Sequence, residues 1–373
     1  MKKIIKLVCS LFLAVSLFPM NKTFAEEVDT SDVMIVSQSL VAQYLSLQPD
    51  EEYDVDQGLP VYSLSEELQG AYFNLYQNNV VCGYAIVYSM NGILKVVEAS
   101  TDGAFPYNLA GVEKLYYAGP FQYFYKSNED FYHFETNEKV IIEAEYDEQN
   151  INLIQSANRA RYVIQGEYYI DNLSGNIYRI DQHDNRSGTG NDSCFATTVA
   201  MIMMYWTNTY PNLTTTSQGN FYFANSLSNK IIDYIGHGKT NFSQAVSGMP
   251  NVMSFFGNKN NCTITYWTSE LNNYTLNNAH LATARTEISN NRPMQVIVGR
   301  DGYRYSSDNI LSGSTLHSLM VIGTKYCYTG SYDSYLTCVD PWNTNTVDII
   351  WDTYNSSSRP YFAIYGLAKY YFN

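Results

Sequence analysis

A single cysteine, Cys194, stands where a polar, glycine-rich loop gives way to a strongly apolar segment. The loop covers residues 181–193, and the apolar segment 195–204 has the composition of a buried helix. Asp192 or Ser193 can cap that helix, which places the thiol in its first turn. Backbone N–H groups there carry partial positive charge and favour the thiolate, the nucleophilic form. The position predicts either a catalytic nucleophile or an inert cysteine at the start of a core helix.

The N-terminus carries the pattern of a signal peptide. Three lysines precede an apolar run, residues 7–18, that two serines interrupt. Thr23 and Ala25 stand at the −3 and −1 positions of a cleavage site, which predicts removal of residues 1–25. The apolar run is too short to cross a membrane comfortably. We therefore expect a secreted, extracellular protein that keeps no membrane anchor.

The composition is acidic and limits the partners. The formal charge is −14, and loss of the four lysines of the signal peptide would leave −18. Such a surface repels nucleic acid and anionic membranes, so neither is expected as a partner. The chain has five histidines, and its cysteines show no CxxC spacing, so a structural zinc site is not indicated. We predict no metal and no cofactor.

Five cysteines remain beyond the signal peptide, an odd number that leaves at least one thiol free in an exported protein. Cys327 and Cys338 flank a polar turn. They could face each other across a hairpin as a disulfide, or they could be two small buried side chains. The sequence leaves both possibilities open.

The first part of the chain predicts a small α+β domain over residues 26–155. An amphipathic helix is expected over 33–47, and Asn-Gly at 91–92 between two apolar runs predicts a type I′ hairpin. Aromatic strands follow up to about residue 144. A domain between a signal peptide and a nucleophile-bearing domain has the position of a removable propeptide, with a permanent accessory domain as the alternative. The polar stretch 143–161 is the predicted cleavage zone.

Residues 156–373 predict a second α+β domain, with helices first and an antiparallel sheet afterwards. It should open with a hairpin of 168–170 and 177–180. Helices are expected at Cys194 and over 220–236 and 277–290. Apolar, β-branched and aromatic runs then predict five strands, at residues 294–298, 316–326, 335–339, 347–351 and 361–367.

His317 is the histidine best placed to act as a base for the cysteine. It follows a Gly/Ser loop at the entry of an apolar strand, from which its imidazole can reach a helix N-terminus. Asp340 ends the next strand, 23 residues later, and a carboxylate there would orient the ring. Asn343 is the alternative orienting residue, and Trp342 could shield the hydrogen bond from water. The other candidate bases are His133, His183, His237 and His280.

Three motifs resemble those of papain-fold cysteine peptidases. Residues 194–206, with Pro211 after them, resemble the nucleophile helix of streptopain-type peptidases. Residues 316–323 and 339–342 resemble the His and Asp motifs of the bacteriocin-processing-like, or peptidase-C39-like, families. The resemblance covers about residues 165–373. It implies a papain-like fold with a helical subdomain carrying the cysteine and an antiparallel β subdomain carrying the histidine and aspartate. It also implies thiol peptidase activity and, for many relatives, an N-terminal prodomain.

The chain departs from this pattern at one position. The families place a Gln six residues before the cysteine, where its amide helps to bind the oxyanion, and this chain has Gly188 there. Gln182, reached through an enlarged loop, is the favoured replacement, with the Cys194 backbone N–H as the second donor. Asn185 and Asn191 are the alternatives.

The prediction is a secreted cysteine peptidase made as a zymogen, which uses Cys194, His317, Asp340 and Gln182. Its partners would be a protein or peptide substrate and its own N-terminal domain, acting as inhibitor or chaperone. A thiol amidase acting on cell-wall peptide would use the same residues. A catalytically silent interaction protein on the same scaffold is the third possibility.

Overall fold

A computed structural model describes most of the chain. The described residues are 28–46, 51–134, 137–142, 151–161, 168–184, 193–236, 241–257, 260–268, 276–300, 303–305, 315–328, 332–351 and 363–373. The predicted signal peptide lies outside these ranges. Within them the chain is a mixed α/β structure with six α-helices and a large, mostly antiparallel sheet.

The N-terminal unit, residues 28–161, packs two helices against one face of a sheet. Its elements in chain order are α1 (Thr30–Leu45), β1 (Asp54–Val55), β2 (Leu59–Tyr62), β3 (Leu68–Gln77), β4 (Val80–Met90), β5 (Ile93–Ser100), β6 (Leu115–Tyr117), β7 (Tyr123–Ser127), β8 (Asp130–His133), β9 (Lys139–Ile142) and α2 (Leu153–Arg161). Asp29 caps α1 by accepting a hydrogen bond from the backbone N–H of Ser31. The predicted hairpin is confirmed: Asn91 and Gly92 join β4 to β5 with φ angles of 53° and 77°. Such positive angles suit the right-handed twist of the paired strands.

The C-terminal unit begins at β10 and carries the candidate site. Its elements are β10 (Tyr168–Asn172), a single 3₁₀ turn (Gln182–Asp184), α3 (Cys194–Trp206), α4 (Ala224–Ile235), α5 (Phe242–Phe255), β11 (Cys262–Thr268), α6 (Asn278–Ser289), β12 (Met294–Arg300), β13 (Tyr303–Tyr305), β14 (Thr315–Tyr328), β15 (Tyr332–Val339), β16 (Thr346–Trp351) and β17 (Ala363–Phe372). Every residue of α3 from Phe195 to Trp206 is buried, as the apolar sequence predicted. α3 packs against α4 and the central strand β14.

The two units share one hydrogen-bonded sheet. Its strands run β11-β17-β12-β14-β15-β16 through the C-terminal unit, with β10 also paired to β14, and β16 then pairs with β5 of the N-terminal unit. At that junction Ile349 is paired with Glu98 and Asp348 with Ala99. A second pairing joins β9 to β13. The N-terminal unit is therefore attached through backbone hydrogen bonds as well as side chains.

Side chains reinforce the junction between the units. Arg179 Nη2 lies 3.1 Å from Asp102 Oδ2, and the backbone N–H of Thr346 donates to Asp102 Oδ1 at 2.8 Å. The hydroxyl of Tyr335 donates to the carbonyl of Val96 at 3.2 Å, and its ring belongs to the N-terminal core. These contacts join Arg179, β15 and β16 of the C-terminal unit to β5 and the residues directly after it.

Some elements differ from the sequence-based expectation. Residues 177–180 form no strand, because β10 pairs with β14 instead and leaves no hairpin partner for them. Helix α2 lies in the polar stretch that was predicted as an open cleavage zone, and it packs against α1. The backbone N–H of Leu94 donates to the hydroxyl of Ser156, on α2, at 2.9 Å. The predicted boundary between residues 155 and 156 thus falls inside a docked helix.

The sheet register excludes a disulfide between Cys327 and Cys338. β14 and β15 pair Cys327 with Asp333 and Cys338 with Val321, so the two cysteines sit about six residues apart along the ladder. At roughly 3.3 Å per residue this is about 20 Å, well beyond disulfide geometry. Cys338 is a free, buried thiol. In the described ranges, no helix is both long and apolar enough to cross a membrane.

Candidate active site

Cys194 is the first residue of α3, and its immediate neighbours fix the helix entry. Ser193 occupies the N-cap position, but its hydroxyl donates to the carbonyl of Gln182 at 3.2 Å and makes no capping bond. One turn later, the Thr198 hydroxyl lies 2.8 Å from the Cys194 carbonyl and 3.0 Å from the Ser318 carbonyl. The start of α3 is thereby tied to β14 (Thr315–Tyr328) at Ser318, the residue next to His317.

His317 and Asp340 form a close pair across the sheet. His317 lies on β14 and Asp340 directly follows β15, and His317 Nε2 is 2.7 Å from Asp340 Oδ1. The carboxyl group of Asp340 is fully buried and also accepts the backbone N–H of Trp342 at 2.8 Å. Asn343, the alternative orienting residue, instead accepts the backbone N–H of Asn345 at 2.9 Å. The turn 340–345 therefore presents the aspartate, not the asparagine, to the imidazole.

The sulfur of Cys194 lies close enough to the imidazole of His317 to raise its pKa. Because Nε2 faces Asp340, Nδ1 is the ring nitrogen left for the sulfur. Burial alone would lower the pKa of His317. The Asp340 carboxylate and the Cys194 sulfur outweigh burial and raise that pKa well above its ordinary value. The three side chains thus form one line, Cys194–His317–Asp340, in which the imidazolium form is favoured.

Gln182 lies beside this line although it is twelve residues before the cysteine. It is buried in the 3₁₀ turn, and its backbone N–H donates to the carbonyl of Pro341 at 2.8 Å. Its carbonyl accepts the hydroxyl of Ser193, so the residue is held between the Asp340 turn and the start of α3. Gly188, Asn185 and Asn191 lie outside the described residues.

The other histidines occupy different surroundings. His183 is exposed, pairs with Asp181 at 2.7 Å and packs its ring against Trp342 at 4.0 Å between centroids. His280 belongs to the capping box of α6. His133 is buried in the N-terminal unit, where burial lowers its pKa to about 4. His237 lies outside the described residues.

A residue from the N-terminal unit reaches into the site, and no sequence motif indicated it. The β6–β7 loop, residues 118–122, places the ring of Phe121 with its centroid 5.1 Å from that of His317. Phe121 is 7% exposed and packs with the apolar core of the C-terminal unit. Its φ angle is +64°, a left-handed conformation that costs a non-glycine residue about 1 kcal/mol or more. Gly119-Pro120 predicts a turn, but the local sequence does not predict its contact with His317.

In the described part of the chain, no group of three or more His, Cys, Asp or Glu side chains could hold a metal ion. Residues 175–367 match the model of the Peptidase_C39-like family. This match covers more than half of the chain and includes the whole Cys194–His317–Asp340 line. The chain belongs to the Peptidase_C39-like family. No curated protein matches it significantly.

Membership of the Peptidase_C39-like family indicates a cysteine peptidase, a hydrolase. The matched range begins after β10 and ends within β17, so it spans nearly the entire C-terminal unit. The N-terminal unit lies outside it.

Proposed function

We propose that this protein is a secreted, papain-like cysteine peptidase that is made as a zymogen. The observation that carries the proposal is the hydrogen bond of His317 to the buried Asp340 carboxylate, with the Cys194 thiol close enough to raise the pKa of the imidazole. A thiol at a helix N-terminus, a histidine and an orienting carboxylate are the parts of a nucleophilic hydrolase. The signal-peptide pattern of residues 1–25 supports secretion.

In this proposal the Cys194 sulfur attacks the carbonyl carbon of the scissile peptide bond. His317 Nδ1 takes the thiol proton and passes it to the leaving amine nitrogen, so that a thioester forms as the C–N bond breaks. Water then attacks the thioester with His317 as base, which releases the acid and restores the thiol. Asp340 holds the ring and stabilises its charged form throughout.

The oxyanion would form next to the start of α3. The Cys194 backbone N–H is one donor, since the first turn of a helix leaves such groups without helical partners. The Gln182 side-chain amide is the second. Its anchoring to Pro341 and Ser193 supports this role, because those residues adjoin Asp340 and Cys194.

The N-terminal unit would act as the inhibitor within the precursor. A substrate must approach both Cys194 and His317, and the phenyl ring of Phe121 packs against the imidazole, where it would limit that approach. The strand pairings β5–β16 and β9–β13 hold the unit in place. Removal of about residues 26–155 would then open the site.

The test compares the purified protein with its Cys194→Ala variant on casein and on peptidoglycan. Casein hydrolysis that depends on Cys194 supports a peptidase. Release of peptide from peptidoglycan without casein cleavage would instead identify the amidase. No Cys194-dependent turnover of either substrate, after the N-terminal unit is removed, would leave a silent scaffold and overturn the proposal.

A further inference from the structure

The loop that carries Phe121 is held from behind by one buried carboxyl group. Glu98, on β5, is fully buried, and its Oε2 accepts the backbone N–H of Phe121 at 3.3 Å. The loop closes on itself through two hydrogen bonds, from the Ala118 N–H to the Gln122 carbonyl and from the Gln122 N–H to the Gly119 carbonyl. The bond to Glu98 joins the left-handed residue of this loop to the core of the N-terminal unit.

Three tyrosine hydroxyls complete the surroundings of this carboxyl group. Tyr84 donates to Oε1 at 2.7 Å, Tyr123 donates to the same oxygen, and Tyr117 donates to Oε2 at 2.9 Å. With Phe121, four donors converge on one side chain. An ionised carboxylate accepts four hydrogen bonds, whereas a protonated one must donate at one oxygen. The arrangement therefore suits the ionised form.

We propose that Glu98 is the internal anchor of the inhibitory loop, and that its ionised form holds Phe121 against His317 while its protonation loosens Phe121. This inference rests on the proposed function, in which Phe121 blocks the site. It adds a specific residue and a pH dependence to the regulation of that site. The role of Glu98 is one of positioning, since it acts on the site only through Phe121.

Glu98 changes its charge near neutral pH. Burial raises the pKa of Glu98 to about 7, although the hydrogen bonds from the three tyrosines and from Phe121 oppose that rise. Because the Phe121 N–H lowers this pKa, the ionised carboxylate must hold that N–H more tightly than the protonated one does. The hold is therefore about half of its full strength near pH 7, grows as the pH rises above 7 and weakens as the pH falls below it.

Other charged groups around this cluster lie in both units. On the N-terminal side, Tyr84, Tyr117 and Tyr123 have pKa values that burial raises well above 10, so they stay neutral donors. His133 is held neutral by burial above about pH 4. On the C-terminal side, Asp340 is close enough to contribute to the raised pKa of Tyr84. Asp348 lies next to the Glu98–Ile349 strand pairing and forms an ion pair with Lys325. Among the three tyrosines, His133 and Glu98, it is Glu98 that has a pKa near 7.

The test measures how fast iodoacetamide alkylates Cys194 in the uncut chain, with the adduct located by peptide mapping. The rate in Phe121→Ala divided by the rate in the parent gives the protection that Phe121 provides, and this ratio cancels the titration of the thiol itself. We expect protection to fall roughly fivefold to tenfold from pH 8 to pH 5.5, the difference in strength between a charge-assisted hydrogen bond and a neutral one. When both rates are measured in proteins that also carry Glu98→Gln, this ratio should be low and independent of pH.

Tyr117→Phe is the milder second variant, since it removes one donor and keeps the carboxyl group. Loss of that donor should move the midpoint of protection to higher pH. Tyr72→Phe is the matched control: it removes a buried tyrosine hydroxyl that bonds Asn74, and it should leave the midpoint unchanged. Protection that keeps the parent pH dependence in Glu98→Gln, with no midpoint shift in Tyr117→Phe, would overturn the inference. If Phe121→Ala alkylates no faster than the parent at any pH, the blocking role in the proposed function fails instead.

Discussion

Glu98 and His133 should make the stability of the N-terminal unit depend on pH in opposite directions. The pKa of Glu98 is raised from 4.5 to about 7 in the folded chain, mainly by burial. Between those pH values the folded chain holds a proton that the unfolded chain has released, so the free energy of unfolding falls as pH rises. At about 1.4 kcal/mol per pH unit, this loss amounts to about 3 kcal/mol.

His133 acts with the opposite sign. Burial lowers its pKa from 6.5 to about 4, so between those values the unfolded chain binds the extra proton. Stability then rises with pH across this window, also by about 3 kcal/mol. In the parent protein the two effects largely cancel between pH 4.5 and 6.5, and each single substitution should expose the other.

The assay is urea unfolding from pH 4 to 8, followed by the near-ultraviolet circular dichroism of the tyrosines, in a Cys194→Ala parent that cannot process itself. Relative to this parent, Glu98→Gln should become more stable by about 3 kcal/mol as the pH rises from 4.5 to 7. His133→Asn should become more stable by a similar amount as the pH falls from 6.5 to 4.

The control is Glu129→Gln, which removes an exposed carboxyl group paired with Lys126. The free energy of unfolding of Glu129→Gln, relative to the parent, should vary by less than about 1 kcal/mol from pH 4 to 8, because solvent screens such exposed pairs. A difference between Glu98→Gln and the parent that stays constant from pH 4.5 to 7 would refute the reasoning, because Glu98 would then not titrate as a buried group.

Three further predictions concern catalysis and maturation. Cys194→Ala should abolish turnover, with a free energy of unfolding within about 1 kcal/mol of the parent. His317→Ala should be nearly as inactive, whereas Asp340→Ala should retain more activity. Equal losses of kcat in all three variants would contradict the assigned roles. Gln182→Ala should lower kcat by about 10²- to 10³-fold, and a loss below tenfold would remove it from the oxyanion site. The active form should have a mass of roughly 24 kDa on a denaturing gel, in proportion to 42.4 kDa for 373 residues, whereas Cys194→Ala should stay uncut. If N-terminal sequencing finds an active protein that begins at Glu26, the first domain is a permanent accessory domain.

Features that depend on neighbouring residues were predictable from the sequence. Asn91-Gly92 needs only a turn with positive φ angles, and the buried helix α3 follows from an unbroken apolar run. His317 and Asp340 were expected on adjacent strands because 23 residues is a hairpin's length, and the structure brings them together. Their chemical roles remain predictions.

Features that depend on distant pairing were not predictable. Helix α5 was missed because Gly248 and Pro250 lie inside it, although a capping box at Asn241 marks its start. The sequence of helix α2 is polar and is typical of a linker, and its contacts with α1 stabilise the helix. The approach of Phe121 to His317 depends on the β5–β16 pairing between the units, and a sheet register between strands some 250 residues apart leaves no local signal.

The most direct test of the central claim is covalent labelling with the peptidase inhibitor E-64 after the N-terminal unit has been removed. Mass spectrometry of the digested protein should find one adduct, on Cys194, and none on the buried thiol of Cys338. The adduct should be lost, or form far more slowly, in His317→Ala, because the imidazole takes the proton from the thiol. An unmodified Cys194, or equal labelling with and without His317, would contradict the account.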